Sequence, residues 1–119
     1  MQALTLTIQS AMPSAPVLNL ELGSLPEQRL AGRCSIQAAD GQDEVQVEGR
    51  FQRYSTPGHA EILIFLLGYH ENDPDHVPAL DIALRMRPDW GGGSGNFILG
   101  GMAVANASVE NVVASASEL

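Results

Sequence analysis

Apolar and polar residues alternate with a period of two along most of this chain, which is the spacing of a strand with one buried face. Leu4, Leu6 and Ile8 alternate with Thr5, Thr7 and Gln9, and Leu18, Leu20 and Leu22 with Asn19 and Glu21. Leu30, Gly32, Cys34, Ile36 and Ala38 follow, with Arg33, Ser35 and Gln37 between them. Asp40-Gly41 then marks a hairpin. The next strand sends Val45, Val47, Gly49 and Phe51 inward and Glu44, Gln46, Glu48, Arg50 and Gln52 outward. Leu80, Ile82, Leu84 and Met86 repeat the pattern against Asp81, Ala83 and Arg85.

One segment departs from this alternation. Ile62–Leu67 is an unbroken apolar run between Glu61 and Gly68. Its length and its Ile and Phe content predict a central strand rather than a helix. Ile62, Ile64 and Leu66 then line one face, and Leu63, Phe65 and Leu67 the other. The pattern therefore demands cover on both faces. Each side chain so buried contributes roughly 1.5–3 kcal/mol.

Pro and Gly punctuate the rest. Ser10–Pro16 is a loop, Gly23–Gln28 a turn with room for one short helical turn, Ser55–His59 a turn and His70–Val77 a polar loop. Pro88–Gly95 is expected to be a long Gly-rich turn, and Asn96–Val104 a seventh strand with Gly100-Gly101 as a bulge or tight bend. Val109–Val113 is expected to form a short eighth strand and Ala114–Leu119 a frayed tail. No segment long enough for a helix repeats at 3.6 residues. The chain is thus predicted to be one all-β domain over residues 1–119, an antiparallel β-sandwich of seven or eight strands. A small closed β-barrel is the alternative. The sandwich is preferred because it covers both faces of the central strand.

Charge narrows the function classes. The formal net charge is −8, with 14 acidic residues against 6 basic ones. Such a surface repels a phosphate backbone, so no nucleic-acid partner is expected. All the basic residues are arginines, which excludes a Schiff-base or phosphate-loop lysine. Cys34 is the single cysteine and has no disulfide partner in the chain. On its inward position it reads as a small core residue. There is no membrane-length apolar stretch and no positively charged signal-peptide start, so the expected location is the cytoplasm.

Two segments carry candidate chemistry. In His70–His76, oxygens of Glu71, Asn72, Asp73 and Asp75 offer hard ligands of the kind calcium takes, and His70 and His76 offer nitrogen to a transition metal. Glu71, Asp73, Asp75 and His76 are the candidate metal residues, although the spacing is not that of an EF-hand. The other possibility is a solvated turn. Trp90, beside Asp89 and the run Gly91–Gly95, is the candidate ligand-binding residue, able to stack on a sugar or anchor a partner. Alternatively it caps one end of the core. Arg85 and Arg87, with Arg50 and Arg53 around Phe51, are expected to pair with Glu44, Glu48 or Asp81, or else to form an anion-binding patch. No nucleophile or oxyanion site accompanies any of these, so no catalytic residue is assigned and no enzyme is expected.

The succession Gly32–Ala38, Phe51–Tyr54, Leu67-Gly68-Tyr69 and Arg87-Pro88-Asp89-Trp90 resembles a family of small all-β bacterial proteins of unassigned function, over about Leu18 to Val113. That resemblance implies an all-β domain in a bacterium and carries over no activity, cofactor or site residue. The residues themselves point first to a non-enzymatic interaction or structural module with a protein partner or a second copy of itself. The second expectation is a carbohydrate- or small-ligand-binding protein using the loops around Trp90 and His70–His76, with or without calcium; no other cofactor is expected. A simple meander would put those two loops at opposite ends of the fold, because one strand separates them.

Overall fold

A computed structural model describes residues 3–112. These residues form eight strands: β1 (Ala3–Gln9), β2 (Val17–Leu25), β3 (Arg29–Ala38), β4 (Gly41–Thr56), β5 (His59–Tyr69), β6 (Leu80–Met86), β7 (Gly92–Leu99) and β8 (Met102–Asn111). Each pairs antiparallel with the next in sequence. The sheet closes where Leu6–Gln9 of β1 meets Ser108–Asn111 of β8. The fold is therefore a closed up-and-down barrel, and the expected sandwich is corrected.

The reason lies in the central strand. Its inward set, Ile62, Ile64 and Leu66, is fully buried. On the other face Phe65 is 51% exposed and Leu67 38% exposed, with Leu63 half-buried. The second face is left on the outer wall, so the requirement that favoured two sheets does not hold within one chain. Closure instead removes both free sheet edges, which an open sheet of this length would leave as templates for mispairing.

The lumen is filled rather than open. Leu4, Leu6 and Ile8 of β1 meet Leu18, Leu20 and Leu22 of β2, and the cluster continues through Cys34, Val45, Val47, Leu84 and Phe97 around the barrel. Eight strands give a barrel just wide enough for side chains to fill. At three inward positions glycine admits the backbone of a neighbouring strand where a side chain would not fit. A Cβ on Gly32 would overlap the Glu21 carbonyl oxygen, one on Gly49 the Phe65 carbonyl, and one on Gly93 the Arg85 carbonyl. These are close approaches between neighbouring strands, of the kind that turn a sheet into a barrel.

Several boundaries also move. β2 runs through to Leu25, so the turn expected over Gly23–Gln28 shortens to Pro26–Gln28, without a helical turn. Gly92–Gly95 is strand rather than turn, and the β6–β7 connection shrinks to Arg87–Gly91. Gly100-Gly101 is a two-residue hairpin turn between β7 and β8, with φ of 55° and 87°. Positive φ at both central residues is what a type I′ turn requires. Asn96–Val104 is thus two strands. The eighth strand is longer than expected because a bulge at Asn106 (φ 57°) breaks its alternation, sending Val104 and Ala107 both inward. Its amide is held by the Asn96 Oδ1 at 3.0 Å. The expected tail Ala114–Leu119, and Val113 before it, lie outside the described residues.

Cys34 faces the lumen with no exposed surface, and burial pushes its thiol up to about 12. Almost no thiolate then exists at pH 8, and no reagent reaches the sulfur. The folded protein is expected to resist Ellman's reagent and to release one equivalent only when urea unfolds it. Rapid labelling without denaturant would contradict the filled lumen.

Candidate functional site

The meander alternates its turns between two ends. The His70–Ala79 connection lies at one end of the barrel and the Arg87–Gly91 turn at the other. The two candidate segments therefore do not meet, as the meander geometry implied, and each is its own site.

In the His70 loop the carboxylate of Asp73 is turned back on its own chain. Its Oδ1 accepts the Asp75 amide at 3.0 Å and its Oδ2 accepts the Val77 amide at 3.0 Å. These two hydrogen bonds hold its pKa below the ordinary carboxylate value. His76 adopts φ 56° and lies flat on Tyr69, with ring centroids 4.6 Å apart. His70 is drawn across the turns to Asp43, Nε2 to Oδ2 2.8 Å, and this hydrogen bond, with the Glu44 amide second, lowers the Asp43 pKa. Glu71 and Asp75 are exposed. No three of these groups converge: among the described residues no set of His, Cys, Asp or Glu side chains is placed to hold a metal ion. The loop does border a groove of 490 Å³ on the outer wall, floored by Gly23, Ala31 and Gly32 and edged by Arg33, Glu48 and Tyr69. Arg33 is already engaged, 3.0 Å from Glu21 and 3.6 Å from Glu44.

The Trp90 end is built differently. Trp90 sits in the left-handed region, φ 62°. Its amide donates to the Arg87 carbonyl at 2.9 Å, and its carbonyl accepts from Asn111 Nδ2 at 2.9 Å. Asp89 serves the same turn, its Oδ1 accepting the Gly91 amide at 2.8 Å and lying 3.7 Å from Arg87 Nε. This wiring curls the indole inward, and Trp90 is only 8% exposed. The ring meets Phe51 edge-on, centroids 5.0 Å apart and planes at 76°.

Above it stands an overhang. Beyond the Arg29–Arg50 pair β4 has no β3 partner, and before Ile62 β5 has no β6 partner, so the β4–β5 hairpin projects past the rim. Arg53, two residues beyond inward-facing Phe51, is set over the mouth with its guanidinium carbon 5.7 Å from the Trp90 ring centroid. A recess of 190 Å³ opens there, walled by Leu4, Leu25, Leu30, Phe51 and Trp90, with Ser24, Gln28 and Arg53 supplying the polar groups.

Charge is divided between the ends. Asp40, Asp43, Glu44, Glu71, Asp73 and Asp75 lie in or beside the turns of the His70 end. Arg29, Arg53, Arg85 and Arg87 lie at strand ends or in the turn of the Trp90 end, where Glu27, Glu61, Asp89 and Glu110 offset part of their charge. The expected arginine pairings shift accordingly: Arg85 reaches Glu61 at 3.7 Å, as does His59 at 3.4 Å, rather than Asp81.

The mouth thus contains the predicted Trp90 but adds Phe51, Arg53, Gln28 and Ser24, which the sequence did not single out as a set. The available signal was parity. Arg53 shares the inward phase of Val45, Val47, Gly49 and Phe51, an unusual place for an arginine unless the strand outruns the barrel.

Residues 2–101 match the model of a family described as a domain of unknown function, DUF1842, and the chain belongs to that family. No match was found among curated proteins.

Proposed function

We propose that this DUF1842 domain is a non-enzymatic small-ligand-binding barrel whose site is the recess beside Trp90. Its ligand would be a small organic acid with one ring or a short aliphatic chain. The observation that carries the proposal is the inward-turned Trp90, walling a recess of 190 Å³ with a guanidinium 5.7 Å from its ring. An apolar cavity of about 150 Å³ accommodates benzene, so this one has room for a single ring and a small head group. Apolar walls with a few convergent polar groups are the usual make-up of a ligand site at a barrel mouth. Arg53 offers a planar donor fork to a carboxylate. A saccharide fits less well, because most of its hydroxyls would face Leu4, Leu25, Leu30 and Phe51 without partners.

Trp90 is the sole tryptophan, so its emission reports this site alone. Titration with benzoate and hexanoate is expected to change that emission saturably. Benzyl alcohol should bind at least about tenfold more weakly, for want of the charge-assisted hydrogen bond. Arg53→Gln should remove the preference for the acids while leaving the fold intact. No response to either acid, or equal response to acid and alcohol, would defeat the proposal. A response to monosaccharides alone would transfer it to a carbohydrate ligand.

A further inference from the structure

We infer that the outer face of β5 is a self-complementary surface on which a second copy of this chain docks, with the two β5 strands antiparallel. Phe65 and Leu67 project from that face, and Ile98 of β7, 48% exposed, extends the apolar stripe beyond Asp81. Large apolar side chains left exposed together on one wall are candidates for an interaction surface. Phe65 also borders a trough of 470 Å³ lined by Ala31, Glu48, Arg50, Leu67 and Asp81. The same face therefore carries both a projection and a hollow to receive one.

Charge identifies the occupant and its orientation. Across the strands, Leu67 is flanked by Glu48 on β4 and Asp81 on β6. One register step towards the Trp90 end, Phe65 is flanked by Arg50 and Ala83, and one step further Leu63 is flanked by Gln52 and Arg85. The stripe is acidic at one end and basic at the other. Glu48, Arg50 and Asp81 have no ion pair within the chain among the described residues, and Arg85 has only Glu61 at 3.7 Å. A two-fold axis lying in the interface and perpendicular to β5 reverses the partner strand. With the axis level with Leu66, it sets Glu48 of each copy opposite Arg50 of the other and Asp81 one register step from Arg85, twice over. An axis along β5 would instead set Glu48 over Asp81, like charge on like. An isologous contact of the first kind closes as a dimer and leaves no open surface for further growth. The Trp90 mouth is not part of it, so this inference stands independently of the proposed ligand.

The test is mass in solution by light scattering and sedimentation. The native chain is expected at about twice its 12.6 kDa. Phe65→Glu, at an exposed position, should keep the β-sheet circular dichroism and weaken the dimer at least about tenfold. Glu48→Arg should weaken it too, by setting two arginines together, and the exchange Glu48→Arg with Arg50→Glu should restore it. A native chain that stays monomeric up to about 1 mM would overturn the inference, and so would a dimer indifferent to Phe65→Glu. A dimer lost in Phe65→Glu but unaffected by Glu48→Arg alone, or weakened by Glu48→Arg and not restored by the exchange, would overturn the antiparallel arrangement.

Discussion

Replacing Gly49 by alanine is expected to destabilise the domain by about 3 kcal/mol or more, the upper end of what an added methyl group costs in a closely packed site. The backbone dihedral of Gly49 is not the cause, since it lies outside the left-handed region. The new Cβ would overlap the carbonyl oxygen of Phe65 on the paired strand, and that oxygen belongs to rigid ladder backbone that cannot swing aside as a side-chain end could. Relief requires β4 and β5 to separate beside the Gly49–Leu66 pair. Gly100→Ala is the control. It sits at φ 55° with nothing within reach of a Cβ, so only left-handed strain of about 1–2 kcal/mol applies. Urea unfolding followed by circular dichroism should rank Gly49→Ala well below Gly100→Ala. Equal midpoints would mean that the glycine approaches do not hold the barrel closed.

Trp90→Ala is expected to cost about 3–5 kcal/mol, the range for removing a buried aromatic. The ring's contacts with Phe51 and Arg53 are lost and the lumen opens at that end. Trp90→Gly offers a sharper comparison. Glycine in extended or helical structure is worse than alanine by roughly 0.5–1 kcal/mol. At φ 62° the order should reverse, because only glycine occupies that conformation without strain. Urea midpoints should therefore place Trp90→Gly at or above Trp90→Ala. A clearly more stable alanine variant would contradict a left-handed Trp90, and a loss below about 1 kcal/mol in both would mean that the ring is not part of the core.

Between Leu4 and Met86 one face of each strand is buried, so β1 to β4 and β6 show a period of two in the sequence, while β5 was legible from the length and Ile and Phe content of its unbroken run Ile62–Leu67. The period fails where regularity fails. Gly92, Gly93 and Gly95 carry no side chain to alternate, and they read as loop although each is paired in β7. Asn106 adds a residue to β8 and shifts its inward phase, so Val104 and Ala107 cannot be read as one face. Closure was equally hidden. The contact that distinguishes barrel from sandwich joins Ile8 to Val109, and alternation in either strand is the same with or without it.

The candidate site was legible in part for a related reason. Trp90 was visible as a lone aromatic beside a turn, but its inward direction depends on a hydrogen bond from Asn111, far along the chain. Arg53 became part of the mouth only because β4 outruns β3, a matter of register between strands. In the His70 loop the density of carboxylates suggested ligands, whereas the Asp73 carboxylate is occupied by the amides of Asp75 and Val77. Composition could not separate those two uses of the same oxygens.

Amide chemical-shift mapping with benzoate distinguishes ligand binding at the Trp90 end of the barrel from binding at the His70 end. Saturable shifts are expected at the Trp90 indole and at Ser24, Leu30, Phe51 and Arg53, with Tyr69 to Val77 at the opposite end unmoved. Shifts confined to the His70 loop and the groove beside Tyr69, or no shift at the Trp90 indole at saturating benzoate, would contradict binding at the Trp90 end.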